Sequence, residues 1–269
     1  LALFRSNLGY FYDEQGEHDR AKETFEGALA ADDRYGHTHA GLGWNLYALD
    51  DYPGALAEFD QAIALNPDDV DAYIGKSSAF QAQDEPDYDQ AIAMLDKAAD
   101  VAPKNPRIPT DHGWLQRAMG NRLAFDDANK LQPYQDAEQY FRNAVALNDQ
   151  YVSAQIGLGW VLQDQANITA DSAKYQESVD ALKRALAIDD GQSGAYNALG
   201  WSYYSLQQYD DAEDAFRSAI ELDDTYADAQ YGLGRTLQDL GRNDEARTIY
   251  QQAVANGSDG AQCALDALP

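Results

Sequence analysis

The sequence predicts an all-α fold, an α-α superhelical solenoid of seven helical hairpins, on three observations. A triplet of alanine, a large apolar residue four positions on and alanine three further recurs seven times along the 269 residues. A glycine-centred helical pattern lies upstream of these triplets. Equivalent positions are 34 residues apart, or 34 plus a short insertion. Spacings of four and three put side chains on one helical face, and a fixed period of this length marks a stacked repeat.

The triplets are Ala21/Phe25/Ala28, Ala55/Phe59/Ala62, Ala91/Leu95/Ala98, Ala137/Phe141/Ala144, Ser178/Leu182/Ala185, Ala212/Phe216/Ala219 and Ala246/Tyr250/Ala253. They define the second helix of each hairpin. The first helix carries Gly9, Gly43, Gly113, Gly159, Gly200 or Gly234. The repeats run 2–35, 36–69, 70–105, 106–151, 152–192, 193–226 and 227–260, with a tail at 261–269, and form one domain over 1–269. Insertions of 2, 12 and 7 residues fall in the third, fourth and fifth repeats, between first and second helix. They are expected as neighbouring loops on one edge or as lengthened helices. In the tail, Cys263, Ala264, Ala267 and Leu268 stand at helical spacing, which predicts a short closing helix.

A glycine inside a helix costs about 1 kcal/mol relative to alanine. Close approach of two helix backbones is expected to offset it, because a missing side chain lets neighbours pack at full density. The acidic pairs Asp32/Asp33, Asp68/Asp69, Asp189/Asp190 and Asp223/Asp224 lie between repeats and are expected as helix caps.

With the glycine and Ala-Phe-Ala sets in place, Leu8, Leu42, Leu158, Leu199 and Leu233 before the glycine, and Pro67 and Pro103 at the turn, the chain resembles the tetratricopeptide repeat family over essentially its full length. The resemblance implies a right-handed superhelix with a concave inner surface lined by the first helices, protein–protein interaction, and no catalysis. Hairpin repeats of similar length that bind RNA are the nearest confusion, and the acidic charge counts against them.

All four tryptophans follow a glycine. A helix advances about 100° per residue, so the residue after the glycine turns away from the hairpin contact. That position reads Tyr10, Trp44, Ser78, Trp114, Trp160, Trp201 and Arg235, with Tyr47 and Tyr204 one turn on and Arg117 adding charge. These rings either pack against neighbouring first helices or line a groove for an apolar or proline-rich peptide or for sugar. The groove lacks the lysine and asparagine of the family's carboxylate clamp. Carbohydrate binding is a further reading, as in similar repeat proteins of bacterial polysaccharide export.

The net charge is −27, from 35 Asp and 11 Glu against only 19 Lys and Arg. This field disfavours nucleic acid and anionic membranes and favours a basic or neutral protein partner. With few lysines, it also suits an extracellular or periplasmic setting or a high-salt cytoplasm. No apolar run is long enough to span a membrane. Cys263 is the only cysteine, so no intramolecular disulfide forms. Asn167 and Asn256 match the glycosylation sequon, the first expected in a loop. Leu1, Leu3, Cys263, Leu265 and Leu268 are candidate apolar ends, and a head-to-tail contact through them would build a fibre. Histidines are few, and no metal, phosphate-loop or nucleophile motif occurs, so no catalytic residue, metal or cofactor is predicted.

Overall fold

A computed structural model describes residues 2–124 and 129–268. It is 79% helical, with fifteen helices and no strand among the described residues. The chain divides into two compact units, Leu1–Leu115 and Gln116–Pro269.

In the first unit α1 (Ala2–Glu14) pairs with α2 (His18–Leu29), α3 (Gly36–Ala48) with α4 (Tyr52–Leu65), and α5 (Val70–Ala82) with α6 (Tyr88–Val101). Helix α7 (Arg107–Arg122) passes from one unit into the other. The second unit holds α8 (Leu131–Leu147), α9 (Val152–Thr169), α10 (Ser172–Ile188), α11 (Ser193–Ser205), α12 (Tyr209–Leu222), α13 (Ala227–Asp239), α14 (Asn243–Ala255) and α15 (Asp259–Asp266). There α9–α10, α11–α12 and α13–α14 are hairpins, and each second helix also packs on the first helix that follows it.

All twenty-one triplet positions are fully buried. Each buried ring contributes about 1.5–3 kcal/mol. Ser178 departs from alanine because its hydroxyl is used: it donates to the Gly159 carbonyl at 2.8 Å and pairs with the Ser202 hydroxyl at 3.0 Å.

The glycines do not bring two helix backbones together. They seat a ring. A Cβ on Gly43 would stand 2.7 Å from Phe59, and one on Gly75, in the next repeat, 2.3 Å from the same ring. Phe216 is held likewise between Gly200 and Gly232, at 2.6 and 2.4 Å. A planar side chain inserted between two helices needs a socket on each, and glycine provides both.

Repeats of basic length end their first helix with one left-handed residue, Gly16, Asp50, Gln207 or Gly241. The next amide then donates to the carbonyl five residues back, as from Glu17 to Tyr12 and from Gln208 to Tyr203, both at 2.9 Å. This Schellman closure satisfies the free carbonyls of the helix end. In the fifth repeat the insertion lengthens both helices, to 18 and 17 residues, instead of forming a loop. The fourth repeat has helices of 16 and 17 residues, and part of its insertion (125–128) lies outside the described residues.

The acidic pairs cap less than expected. Asp69 accepts from the Ala72 amide at the start of α5. Asp32, Asp189 and Asp223 instead accept from the amide two residues on, tightening the turn before the helix. The cap position itself falls to Tyr35, Gln192 and Tyr226, none of which makes a side-chain cap bond.

Candidate functional site

Successive first helices touch: α1 meets α3 and α3 meets α5, and in the second unit α9, α11, α13 and α15 meet in turn. The residue after the glycine lies on this flank. Trp44 stands edge-on to Phe59, with ring centres 5.5 Å apart at 77°, and Trp201 edge-on to Phe216 at 5.3 Å and 79°. The glycine seats the ring of the second helix, and the next residue packs against the same ring in the favoured T arrangement. That is why tryptophan follows glycine at Trp44 and Trp201.

Tyr47 and Tyr204 pack on these indoles at 5.8 and 5.7 Å. All four tryptophans, Trp114 on α7 included, are half-buried, so each keeps surface that no neighbour covers. The sequence offered packing or groove as alternatives; Trp44 and Trp201 have packed edges and also keep part of their surface open.

Charged groups border them. In the first unit Tyr10 stacks on His37 at 4.7 Å, and its hydroxyl donates to the His37 carbonyl at 2.6 Å. Burial raises its phenol pKa, reinforced by Asp69, Asp71 and Asp13. The Arg107 guanidinium lies 5.9 Å from the Trp44 ring centre and is held by Asp71 at 3.0 Å and Asp111 at 3.4 Å. Burial pushes the Asp111 carboxyl up to about 6 despite that cation.

In the second unit Arg117 lies 4.6 Å over Trp160, and its Nε donates to Asp164 at 2.6 Å. Arg117 is therefore neutralised within the chain and is no free positive charge. Asp164 is raised because burial outweighs Arg117. Trp201 Nε1 donates to Asp228 at 3.1 Å, and Asn197 donates to the same oxygen at 2.7 Å. Tyr204 donates to Asp239 at 2.6 Å; burial and this bond push its hydroxyl up to about 12. Arg235 is exposed and lies 5.1 Å from the Tyr204 ring and 6.0 Å from Tyr231.

Arg107, Tyr231, Asp228 and Asp239 were not legible as site residues from the tryptophan column alone. Neighbouring columns hold the signal. Seven residues before the tryptophan register, two turns back on the same flank, stand His37, Asp71, Arg107 and Asp228; four residues after it stand Asp164 and Asp239.

His39 is structural, with Nδ1 2.6 Å from Glu58 and Nε2 3.0 Å from the Asp33 carbonyl. No group of three metal-binding side chains occurs among the described residues, and no described helix is long and apolar enough to cross a membrane.

Of the candidate ends, Leu1 lies outside the described residues and Leu3 is exposed. Leu265 and Leu268 pack with Ala264 on the core of the second unit, while Cys263 faces outward as an exposed free thiol. The apolar face of the tail is thus Ala261, Ala264 and Leu265 on α15 with Leu268 just beyond it, without Cys263. Asn167 is in the last turn of α9 instead of a loop, because the insertion was absorbed into helix; its side chain accepts from Tyr175 at 2.6 Å. Asn256 closes α14 and donates to Gln230 at 3.0 Å.

One tetratricopeptide repeat model matches residues 164–227 and again 197–261, and a second matches 12–79. No curated protein matches the chain. Among solved structures, the Cut9–Hcn1 hetero-tetramer of the APC/C is similar, with a TM-score of 0.74 and 18% identity over 95% of this chain and 46% of that one. The chain thus spans about half the length of that relative. A tetratricopeptide repeat protein from Parabacteroides merdae gives 0.66 and 14%, covering 98% and 97% of the two chains. PilW, a type IV pilus biogenesis factor, gives 0.68 and 20%, covering 86% and 98%. At such identities the likeness establishes the fold.

Proposed function

The chain belongs to the tetratricopeptide repeat family, and we propose that it is a non-catalytic scaffold holding an extended segment of a protein partner against the aromatic flank of its first helices. The observation that carries this is the set of half-buried indoles in one register, of which Trp44 and Trp201 are fixed edge-on against a buried phenylalanine. Rigid, partly desolvated aromatic surface is what binding hot spots are made of. The exposed carboxylates Asp71, Asp228 and Asp239 beside the rings, with a net charge of −27, favour a segment that is basic or apolar. Of the similar structures, one is part of a hetero-tetramer and another is a pilus biogenesis factor.

Selection of peptides from a random display library, followed by titration against the chain, tests this. The expected result is enrichment of arginine, lysine and proline, with affinity falling at least tenfold in Trp201→Ala or Trp44→Ala. Peptides that bind these variants as tightly as the parent would remove the site. Tryptophan emission that responds to oligosaccharides and to no peptide would replace the partner class with carbohydrate.

A further inference from the structure

Three arginines border the aromatic flank, and they are held in two ways. Arg107 beside Trp44 is tied to Asp71 and Asp111, and Arg117 over Trp160 is tied to Asp164. Arg235 is different. Among the described residues no carboxylate pairs with it, in a chain carrying 46 Asp and Glu. Its guanidinium lies instead over two rings, 5.1 Å from Tyr204 and 6.0 Å from Tyr231. Both distances are within the range of cation–π attraction.

The rings form a cage. Tyr204 stands edge-on to Trp201 at 5.7 Å and 79°, and Tyr231 is tilted against the same indole at 6.0 Å and 49°. Phe216 backs Trp201, a hydrogen bond to Asp239 holds Tyr204, and Tyr250 lies 6.1 Å from Tyr231. Rings fixed in this way keep their faces in place when the cation leaves. Asp228 and Asp239, both exposed, stand at the rim and accept from Trp201 Nε1 and the Tyr204 hydroxyl. Aromatic faces bordered by carboxylates attract a cation, and the chain fills the place with its own.

We infer that Trp201, Tyr204 and Tyr231 form a site for an arginine side chain of the partner, and that Arg235 is its internal occupant, displaced when the partner binds. The register supports the assignment. Arg235 holds in the seventh repeat the position that Trp201 holds in the sixth, and its stem carries the guanidinium back over the first helix of the repeat before. Exposed and free of any carboxylate pair, it moves into water at little cost. Release of Arg117, by contrast, would leave Asp164 without its cation. Arginine suits the cage better than lysine because a flat guanidinium stacks on a ring while its edge donates to carboxylates. The inference rests on the aromatic flank being the partner's site, and it names the side chain anchored there.

The probe is N-acetyl-arginine methylamide, titrated into the full chain at constant ionic strength and followed by the ring-current shift of its side-chain protons. In the parent Arg235 competes and binding is weak. Arg235→Ala, at an exposed position, should bind the probe about tenfold more tightly, the scale of two exposed cation–π contacts. The citrulline analogue, of the same shape without the charge, should bind neither protein. Adding Tyr204→Leu to Arg235→Ala should abolish the gain with the helical circular dichroism unchanged. Equal affinity in the parent and Arg235→Ala, equal binding of the citrulline analogue, or a gain that survives Tyr204→Leu would overturn the inference. The two readings fail separately. A probe that binds as expected to a chain that takes no peptide would uphold the cage and remove the peptide site. A peptide bound through Trp44 by a chain whose Arg235→Ala variant ignores the probe would do the reverse.

Discussion

Trp44 and Trp201 occupy one register of the repeat in different units. Their packed sides are nearly superimposable: each stands edge-on to a phenylalanine of the second helix and takes a tyrosine one turn later at almost the same distance and angle. Their open sides differ. Trp44 has a guanidinium above it, tied to two carboxylates, whereas Trp201 donates to a carboxylate and neighbours a third ring, Tyr231. The repeated residues place the indole, and the unrepeated ones decide what it offers a partner. Trp160 is the third variant: Leu182 replaces the phenylalanine behind its glycine, and Arg117 sits over its ring.

The shared half of the comparison breaks most severely at the ring. Phe59→Ala empties two glycine sockets and removes the edge partner of Trp44, and should cost about 3–5 kcal/mol in urea unfolding, with altered tryptophan emission. Gly75→Ala fills one socket against the same ring at 2.3 Å. Overpacking of about 1–3 kcal/mol, offset by roughly 1 kcal/mol of helix propensity, leaves a net loss near 1 kcal/mol. A neutral Gly75→Ala would mean that the ring can yield.

Within the unshared half, Asp111 is expected to produce a pH effect. Its folded pKa is raised by burial from 3.8 to about 6. The native state therefore binds more protons than the unfolded chain between these values, and stability from this group falls as pH rises through that window. Asp111→Asn cannot ionise. Relative to the parent it should gain with pH, by up to about 3 kcal/mol between pH 4 and 7.5 at one unit per 1.36 kcal/mol. The pair with Arg107 forms only where Asp111 is ionised, and its contribution is already contained in the folded pKa of about 6. Parallel denaturation curves at the two pH values would contradict the burial of this carboxyl.

Much of this was visible before the structure. The triplets at 34-residue spacing fixed helix pairing and core, because a face that recurs seven times is a face that must be buried. The glycine's purpose was misread: a sequence shows that a side chain is missing, not what enters the space, and only Gly41, Gly75, Gly157 and Gly232, two residues before the expected glycine register, reveal that one ring is held from both sides. Asn167 moved from loop to helix because helix extension and loop insertion have the same length in sequence. The charged surroundings of the indoles stayed hidden because Arg107 and Asp71, or Trp201 and Asp228, come from different repeats, so their meeting depends on how first helices stack.

The smallest expected effect tests whether those surroundings stabilise the indoles or only decorate them. Asp228 accepts from both Trp201 and Asn197, whose own Oδ1 is buried without a partner. Asp228→Asn keeps the shape and exchanges two charge-assisted hydrogen bonds for neutral ones, a difference of about 1 kcal/mol. Asp71→Asn leaves Arg107 its second carboxylate, Asp111, and weakens an exposed pair worth at most about 1 kcal/mol. Asp228→Asn should therefore lower the unfolding midpoint and shift Trp201 emission, while Asp71→Asn does neither measurably. If the two variants proved equal, the open side of Trp201 would be no better fixed than that of Trp44, and rigidity could not distinguish one from the other as a binding surface.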